Sequence, residues 1–339
     1  MKSTYGQTLR VTVWGESHAP SIGVEIDGFP AGYRIDFDTL SRFMSRRAPG
    51  KDPLSTARRE DDVPEFLSGV ENGVTAGGVI KAVIRNRDVR SSDYDNIKNV
   101  PRPSHADFAA RAKYGDGYNM AGGGPFSGRM TAPLCVAGAL AIGLLAENGM
   151  TVRAEPVEIG GVSGDPDAMK EAIASAASEG DSVGGIVECR VDGLPAGVGG
   201  PLFDGMESMI SSSVFAIPAV KGIEFGAGFA SAGKRGSENN DPFTVKDGKV
   251  ITTKNDHGGI LGGITSGMPL VFRTAFKPTP SIAKEQDSVD LLTKENVKLT
   301  VKGRHDPCVV LRAVPAVESA CAIAILDALL TDGRILETE

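Results

Sequence analysis

Residues 186–197 read IVECRVDGLPAG, and residues 22–32 read IGVEIDGFPAG. In each, an alternating strand pattern runs into a D-G-x-P-A-G turn, where Gly and Pro set the backbone. Roughly a hundred residues after each turn, an Arg and a Pro head a long apolar run. The first is Arg129 and Pro133 with LCVAGALAIGLLAENG; the second is Arg312 and Pro315 with AVESACAIAILDALLTDG. Pro in a first turn and Asn-Gly or Asp-Gly at the end are helix start and stop signals. Both runs are apolar nearly all round, so each helix is expected to be buried on both sides. A common turn recurs by chance, but a turn paired with a helix in the same order points to a duplicated α+β unit. Its half-repeats fall at about residues 1–150 and 151–339, with a helical layer at the centre.

Shorter helices fit around this frame. Asp38 is read as the cap of a helix with Leu40, Phe43 and Met44 on one face, ending before Pro49-Gly50. A surface helix is expected over 166–179, ending at Gly180. No long linker or low-complexity segment interrupts the 339 residues, so a single domain over 1–339 is expected. A net charge of −7 argues against a nucleic-acid footprint, so any anionic ligand must be held by local arginine clusters. Cys135, Cys189, Cys308 and Cys321 show no metal-ligand or disulfide spacing, which fits a reducing cytoplasm. The N-terminus lacks the apolar run of a signal peptide. Charge or Pro interrupts the apolar stretches short of the roughly 18–20 residues that span a bilayer, so no membrane partner is expected.

All four histidines sit in short polar motifs flanked by Gly or Pro: GESHAP (His18), RPSHAD (His105), NDHGG (His257) and GRHDPC (His305). A packed core imidazole would instead lie in an apolar periodic run. If the four serve one purpose, the fold must gather them. Imidazoles beside arginines suit proton transfer around an anion.

The arginines supply the other half of that chemistry. GGGPFSGRMTAP (122–133) is a glycine-rich loop entering a buried helix, with Ser127 or Thr131 as cap and Arg129 as a bidentate anion partner. SRRAPGKDPLSTARRED carries Arg46 and Arg47, then Lys51, Arg58 and Arg59. Arg90 in RSSDY and Arg102, three residues before His105, add to the set. Together they suit a substrate with more than one negative group. In GRHDPC, Asp306 beside Arg304 stays ionised and can accept or relay a proton. NDHGGILGGITSG, followed by FKPTPS with Lys277, Thr279 and Ser281, offers a second glycine-rich and cationic pair of loops for a phosphate-bearing ligand.

One further match carries an alternative function. GFASAGKR (228–235) resembles a phosphate-binding loop, and AILD (324–327) a partner strand, which would make a nucleotide- or anion-binding protein. A true loop needs Ser or Thr after the lysine to hold magnesium; here that residue is Arg235, and AILD lies in a helical pattern.

GESHAPSIGVEIDGFPAG, RRAPG, RSSDY, RPSHADF, GGGPFSGRMTA, AVKG (219–222), NDHGGILGGITSG, FKPTPS and GRHDPCVVLRAVPAVE occur in the order seen in chorismate synthases. The chain resembles that family from residue 6 to about residue 330. The resemblance implies an α+β fold, a single-domain β-α-β sandwich with a central helical layer between two antiparallel sheets and internal pseudo-twofold repetition. It implies a homotetramer with a flavin site in each subunit. The implied reaction is anti-1,4-elimination of phosphate from 5-enolpyruvylshikimate 3-phosphate, giving chorismate, with reduced FMN (FMNH2) required and no net redox change.

Carried over by motif position, His18 protonates the departing phosphate and His105 supplies a proton at the flavin. Asp306 with Ser17 helps remove the proton from flavin N5. Arg46, Arg47, Arg102, Arg129 and Arg304 hold the substrate's phosphate and carboxylates. Pro125, Phe126, Ser127, Pro218, Ala219, Gly262, Lys277, Pro278, Thr279, Pro280, Ser281 and Arg304 match positions that contact FMN. The chain departs from the family pattern in places. After the three glycines it has P-F-S-G-R-M-T-A where the family has R-S-S-A-R-E-T-A, so Pro125, Phe126 and Met130 replace an Arg, a Ser and a Glu. Pro53 replaces a basic residue and Pro218 an Asn. No G-x-G-x-x-G fingerprint follows a predicted strand, which favours an external flavin reductase, with NADPH as an indirect reductant.

Overall fold

The computed structural model describes residues 2–50, 60–87, 99–115, 117–118, 121–301, 303, 306–334 and 338. The first half forms β1 (Lys2–Tyr5), β2 (Arg10–Gly15), β3 (Ser21–Asp27), α1 (Phe37–Arg47), β4 (Glu65–Ser68), β5 (Val70–Glu71), β6 (Val74–Thr75) and β7 (Ile80–Arg85). Helices α2 (Asp107–Tyr114) and α3 (Thr131–Glu147) complete it. The second half opens with β8 (Thr151–Ile159), β9 (Val162–Ser163), α4 (Pro166–Ser178), β10 (Gly185–Asp192), α5 (Met206–Val214) and β11 (Val220–Phe225). Then come α6 (Gly236–Asn239), β12 (Phe243–Lys246), β13 (Lys249–Thr252), β14 (Ile260–Leu261), β15 (Ile264–Thr265) and β16 (Leu270–Phe276). The pair β17 (Gln286–Val289) and β18 (Asn296–Leu299) precedes the long helix α7 (Val310–Thr331).

Two five-stranded sheets enclose the helices α3 and α7. Their orders are β1-β2-β3-β7-β4 and β11-β16-β10-β8-β9, and every pairing within them is antiparallel. The two echo strands, β3 and β10, occupy the middle of their sheets. Their turns are clasped alike. Thr75 Oγ1 donates to Pro30 O at 2.7 Å and accepts from Tyr33 N; Thr265 Oγ1 donates to Pro195 O at 2.7 Å and accepts from Val198 N. The backbone repeats too, with Gly32 N on Thr75 O and Gly197 N on Thr265 O. The duplication read from two turns thus extends to the residues that tie them down.

Helix α3 packs against β3 and β7, α7 packs against β8 and β10, and the two helices pack against each other. A β-carbon on Gly138 would lie 2.1 Å from Ser319 Cβ, so only glycine lets the helices approach this closely. Burial on both sides explains the all-round apolarity. The polar groups of α7 are each satisfied: Ser319 donates to Pro315 O, and Asp327, fully buried, accepts from the amides of Gln7, Thr8 and Leu9. Gly128–Glu147 and Val310–Thr331 do reach the length and apolarity of a membrane span, contrary to the expectation above, but the second is almost wholly buried and the first mostly so.

Two helix starts differ from their reading. Asp36, not Asp38, caps α1, accepting from Thr39 N at 2.9 Å; Asp38 lies in the first turn. Helix α7 begins at Val310, which puts Pro315 beyond the first turn, where it removes the donor for Leu311 O. The 166–179 helix is found at Pro166–Ser178, capped by Asp165.

Candidate active site

Gly122, Gly123 and Gly124 adopt φ of 61°, 81° and 51°, three successive left-handed residues that side chains rarely tolerate. This bend gathers His18 and His105. A β-carbon on Gly122 would meet the His18 ring, and one on Gly123 would lie 3.1 Å from His105 Nε2. Ser17, buried beside them, gives its N–H to Gly124 O and its hydroxyl proton to Gly122 O at 2.9 Å. With that proton committed, Ser17 Oγ accepts from His18 Nδ1 at 3.0 Å.

Gly122, His105 and the residues after the triple glycine line a cavity of about 670 Å³. Among the described residues, six cationic side chains line it: Arg47, Arg102, Arg129, Arg312, Lys221 and Lys277. Asp306 is the one acid among the described lining residues. A site this rich in positive charge, in a chain of net charge −7, is built for a polyanion.

Buried carboxylates hold the arginines in place. Asp62 bridges Arg47 Nη1 at 2.6 Å and Arg129 Nη1, while Arg47 Nη2 donates to Gly128 O and Nε to Thr131 Oγ1. Burial pushes the Asp62 carboxyl up, but Arg47 and Arg129 together hold it below the usual carboxylate range. Burial pulls Arg129 down to about 10 against the attraction of Asp62. Arg129 Nε donates to Asn86 Oδ1, and Nη2, buried 4.0 Å from Glu60, makes no hydrogen bond. Arg312 Nη1 pairs with Asp306 Oδ2 at 2.6 Å, and burial lowers the Arg312 pKa.

The loops around Ala219 and Lys277 also line the cavity. Lys277 Nζ donates to Ser104 O and Oγ, and its N–H to Ala219 O. Burial first, then the neighbouring charge of Lys221, lowers the Lys277 pKa. Ala219 and Ser104 are held at φ 75° and 61°, backbone that non-glycine residues adopt mainly where the surroundings enforce it. Thr279 carries a buried hydroxyl with no partner, and Ser281 Oγ accepts from Arg102 Nη1 at 3.1 Å. Arg102 lies side-on to Asp107, whose other neighbour is His105.

Most sequence-derived site residues meet here. Arg47, Arg102, Arg129, Asp306, Pro125, Phe126, Ser127, Pro218, Ala219, Lys277, Thr279, Pro280 and Ser281 line the cavity with His105, while Ser17 and His18 reach its wall at Gly122. Among the described ones, four do not meet here. Arg46 forms a bidentate pair with Glu318 of α7, at 2.8 and 3.0 Å. Pro278 is exposed and turned off the lining, and Gly262 sits in the β14–β15 turn with open space around it. His257 lies against Asp241 at 2.7 Å and is not among the residues lining the cavity, so the expectation that all four histidines gather fails for it. Arg304, His305, Arg90, Lys51, Pro53, Arg58 and Arg59 lie outside the described residues. Sequence reasoning missed Lys221, inside the quoted AVKG, and Asp107, two residues after His105. It also passed over Arg312, read only as a helix start, and Asp62.

The phosphate-loop alternative loses its ligand position. Glu224 Oε2 accepts from Phe229 N at 3.1 Å and would collide with a β-carbon on Gly228, while Lys234 is paired with Asp256 at 2.6 Å. AILD lies within α7.

An α+β sandwich with a cationic cavity and two imidazoles on a glycine bend defines an enzyme acting on a small polyanion. The chorismate synthase family model matches residues 9–330. A chorismate synthase from Korarchaeum cryptofilum (strain OPF8) is 48% identical over 97% of this chain and 98% of its own. One from Thermococcus kodakarensis is 47% identical over 96% and 97%. A solved structure titled "Crystal Structure of Chorismate Synthase" superposes with a TM-score of 0.76 at 25% identity, covering 96% of this chain and 93% of the other. The chain therefore belongs to the chorismate synthase family. Its reaction is the family's carbon–oxygen lyase step, anti-1,4-elimination of phosphate from 5-enolpyruvylshikimate 3-phosphate to give chorismate, the last step of the shikimate pathway. The family depends on reduced FMN.

Proposed function

We propose that substrate and reduced FMN meet in the cavity between the triple glycine and the Lys277 loop. The observation that carries this is the placement of His18 and His105 on adjacent glycines of one bend, beside a cavity that six described cations line. The chain's groups suit both ligands. The partnerless Thr279 hydroxyl and the adjacent Lys221 and Lys277 suit a phosphate, since buried polar groups and like charges are costly unless a ligand answers them. Lys277, Thr279, Ser281, Ala219, Pro218 and Phe126 would hold FMN. Reduced FMN supplies, when bound, an electron-rich ring that assists departure of phosphate.

The chain's own residues do the rest. Arg47, Arg129, Arg102 and Arg312 orient the substrate's phosphate and carboxylates. His18, oriented through Nδ1 by Ser17, gives a proton to the departing phosphate. His105 moves a proton at Nε2, and Asp306 accepts one in the cavity. A homotetramer in the cytoplasm, served by an external flavin reductase that draws on NADPH, belongs to the same reading. So does the absence of nucleic-acid and membrane partners, which the net charge of −7 supports for nucleic acid.

Anaerobic titration of reduced FMN, followed by flavin absorbance, tests the cofactor half. Thr279→Val, which removes the hydroxyl and keeps the shape, should weaken binding about tenfold, the effect of one charge-assisted hydrogen bond. Unchanged affinity would move the flavin away from this wall.

A further inference from the structure

Asp107 is the first residue of α2 and only 2% exposed, yet its carboxylate does not cap the helix. It turns back onto the loop before it. Oδ2 accepts from Arg102 N at 3.0 Å and Arg102 Nε at 2.7 Å; Oδ1 accepts from Arg102 Nη2 at 2.8 Å and faces His105 Nδ1 at 2.5 Å. His105 N in turn donates to Arg102 O at 3.2 Å, closing the turn. One buried acid therefore fixes a cation and an imidazole of the cavity wall at once.

We propose that Asp107 is the positioning residue of His105: it holds the hydrogen on Nδ1 and leaves Nε2 as the nitrogen that exchanges a proton with the cavity. This rests on the reading that His105 is a proton-transfer group. The argument is one of donors and acceptors. Burial pushes the Asp107 carboxyl up, but the bonds from Arg102 and His105 outweigh it and hold it well below the usual range. An ionised carboxylate only accepts, so the hydrogen in the 2.5 Å contact belongs to Nδ1. Arg102 Nη2 also lies 3.1 Å from Nδ1, but a nitrogen that carries hydrogen has no lone pair to offer it. That closeness follows from both groups converging on Oδ1. Nε2 is left beside Gly123, in the bend that forms the cavity wall. When the ring gives up a proton from Nε2, the neutral imidazole keeps its Nδ1 hydrogen on Asp107, so ring and tautomer stay fixed through the transfer.

Asp107→Asn tests this with little change of shape. An asparagine oxygen at the Oδ2 position keeps both Arg102 N and Nε as donors, which places the amide NH2 against His105 Nδ1 and leaves Arg102 Nη2 with Nδ1, 3.1 Å away, as its acceptor. That NH2 donates, so Nδ1 must become the acceptor and the hydrogen moves to Nε2. Nitrogen-15 spectra of His105, assigned with His105→Gln, should show the Nδ1–H tautomer in the wild-type chain and Nε2–H in Asp107→Asn. Turnover should fall by about 100-fold or more with KM for 5-enolpyruvylshikimate 3-phosphate within about threefold, the pattern of a wrong tautomer in an intact site. An Nε2–H tautomer in the wild-type chain overturns the proposal, and this needs neither a folded variant nor turnover. An Nδ1–H tautomer kept in Asp107→Asn also overturns it, whereas an Nε2–H tautomer there with unchanged kcat overturns instead the reading of His105 as the proton-transfer group.

Discussion

Gly122 lies so close to His18 that a β-carbon built on it would fall 1.9 Å from both Cε1 and Nδ1 of the imidazole. The histidine is seated against bare backbone, and Ser17 locks it there through Nδ1. Gly122→Ala must therefore expel the ring. Activity should fall by about 100-fold or more, because an ångström-scale displacement of a reacting group has that effect. Gly149→Ala is the control: its φ is also positive at 74°, but no atom lies within 4 Å of the added carbon. It should cost about 1 kcal/mol of stability by thermal unfolding and leave kcat unchanged. Equal losses of activity in the two variants would show that backbone strain, not displacement of His18, is responsible.

Arg46 and Arg47 are neighbours in sequence with opposite tasks. Arg46 is half-exposed and pairs with Glu318, whereas Arg47 is 1% exposed and lines the cavity. Arg46→Ala should lower stability by about 1–3 kcal/mol, since it strips a buried carboxylate of its cation, while kcat stays within about threefold. Arg47→Lys, which keeps the charge but loses the fork, should raise KM for the substrate at least about tenfold. Steady-state kinetics on both variants decide the point; a KM effect confined to Arg46 would reverse the assignment.

The alkaline limb of ligand binding should belong to Lys277. Its protonated form is disfavoured by burial and by Lys221, so it loses charge at lower pH than the ordinary 10.5. Affinity for reduced FMN should accordingly weaken as pH rises, beginning before a surface lysine would titrate. Lys277→Arg stays charged and should flatten that limb. A limb of identical position in both proteins would assign the titration elsewhere.

Asp62 gives the fold an acid-sensitive joint. Its folded-state pKa lies below the usual 3.8, because Arg47 and Arg129 outweigh burial. The stabilisation is therefore fully present above the unfolded carboxyl's pKa and is lost as pH falls through the lower, folded value. Asp62→Asn should cost about 3 kcal/mol at pH 7, and the gap to wild type should close as the acid limit of folding is approached. Thermal melts across that range measure it; a gap independent of pH would contradict the linkage.

The fold was legible because two turns and two apolar helices repeat in order, and because β3 and β10 carry the alternation of half-buried strands. The tie from Thr75 to Pro30, repeated by Thr265 and Pro195, was not legible, since a lone threonine before a glycine turn has many uses. In the site, the glycine run and the His18 and His105 motifs announced themselves by residue type. Arg46 and Arg47 could not be told apart: one step on a helix swings a side chain by about 100°, from Glu318 to the cavity. Asp62 and Asp107 were hidden for a different reason, because a carboxylate that organises cations acts through distances the sequence does not record.

The most direct test of the whole account is anaerobic turnover of 5-enolpyruvylshikimate 3-phosphate with chemically reduced FMN, following chorismate and phosphate together. The account predicts equal release of both, only with reduced flavin, and loss of that release in His18→Ala and His105→Ala. Release of phosphate without chorismate, or turnover that survives both histidine substitutions, would contradict it.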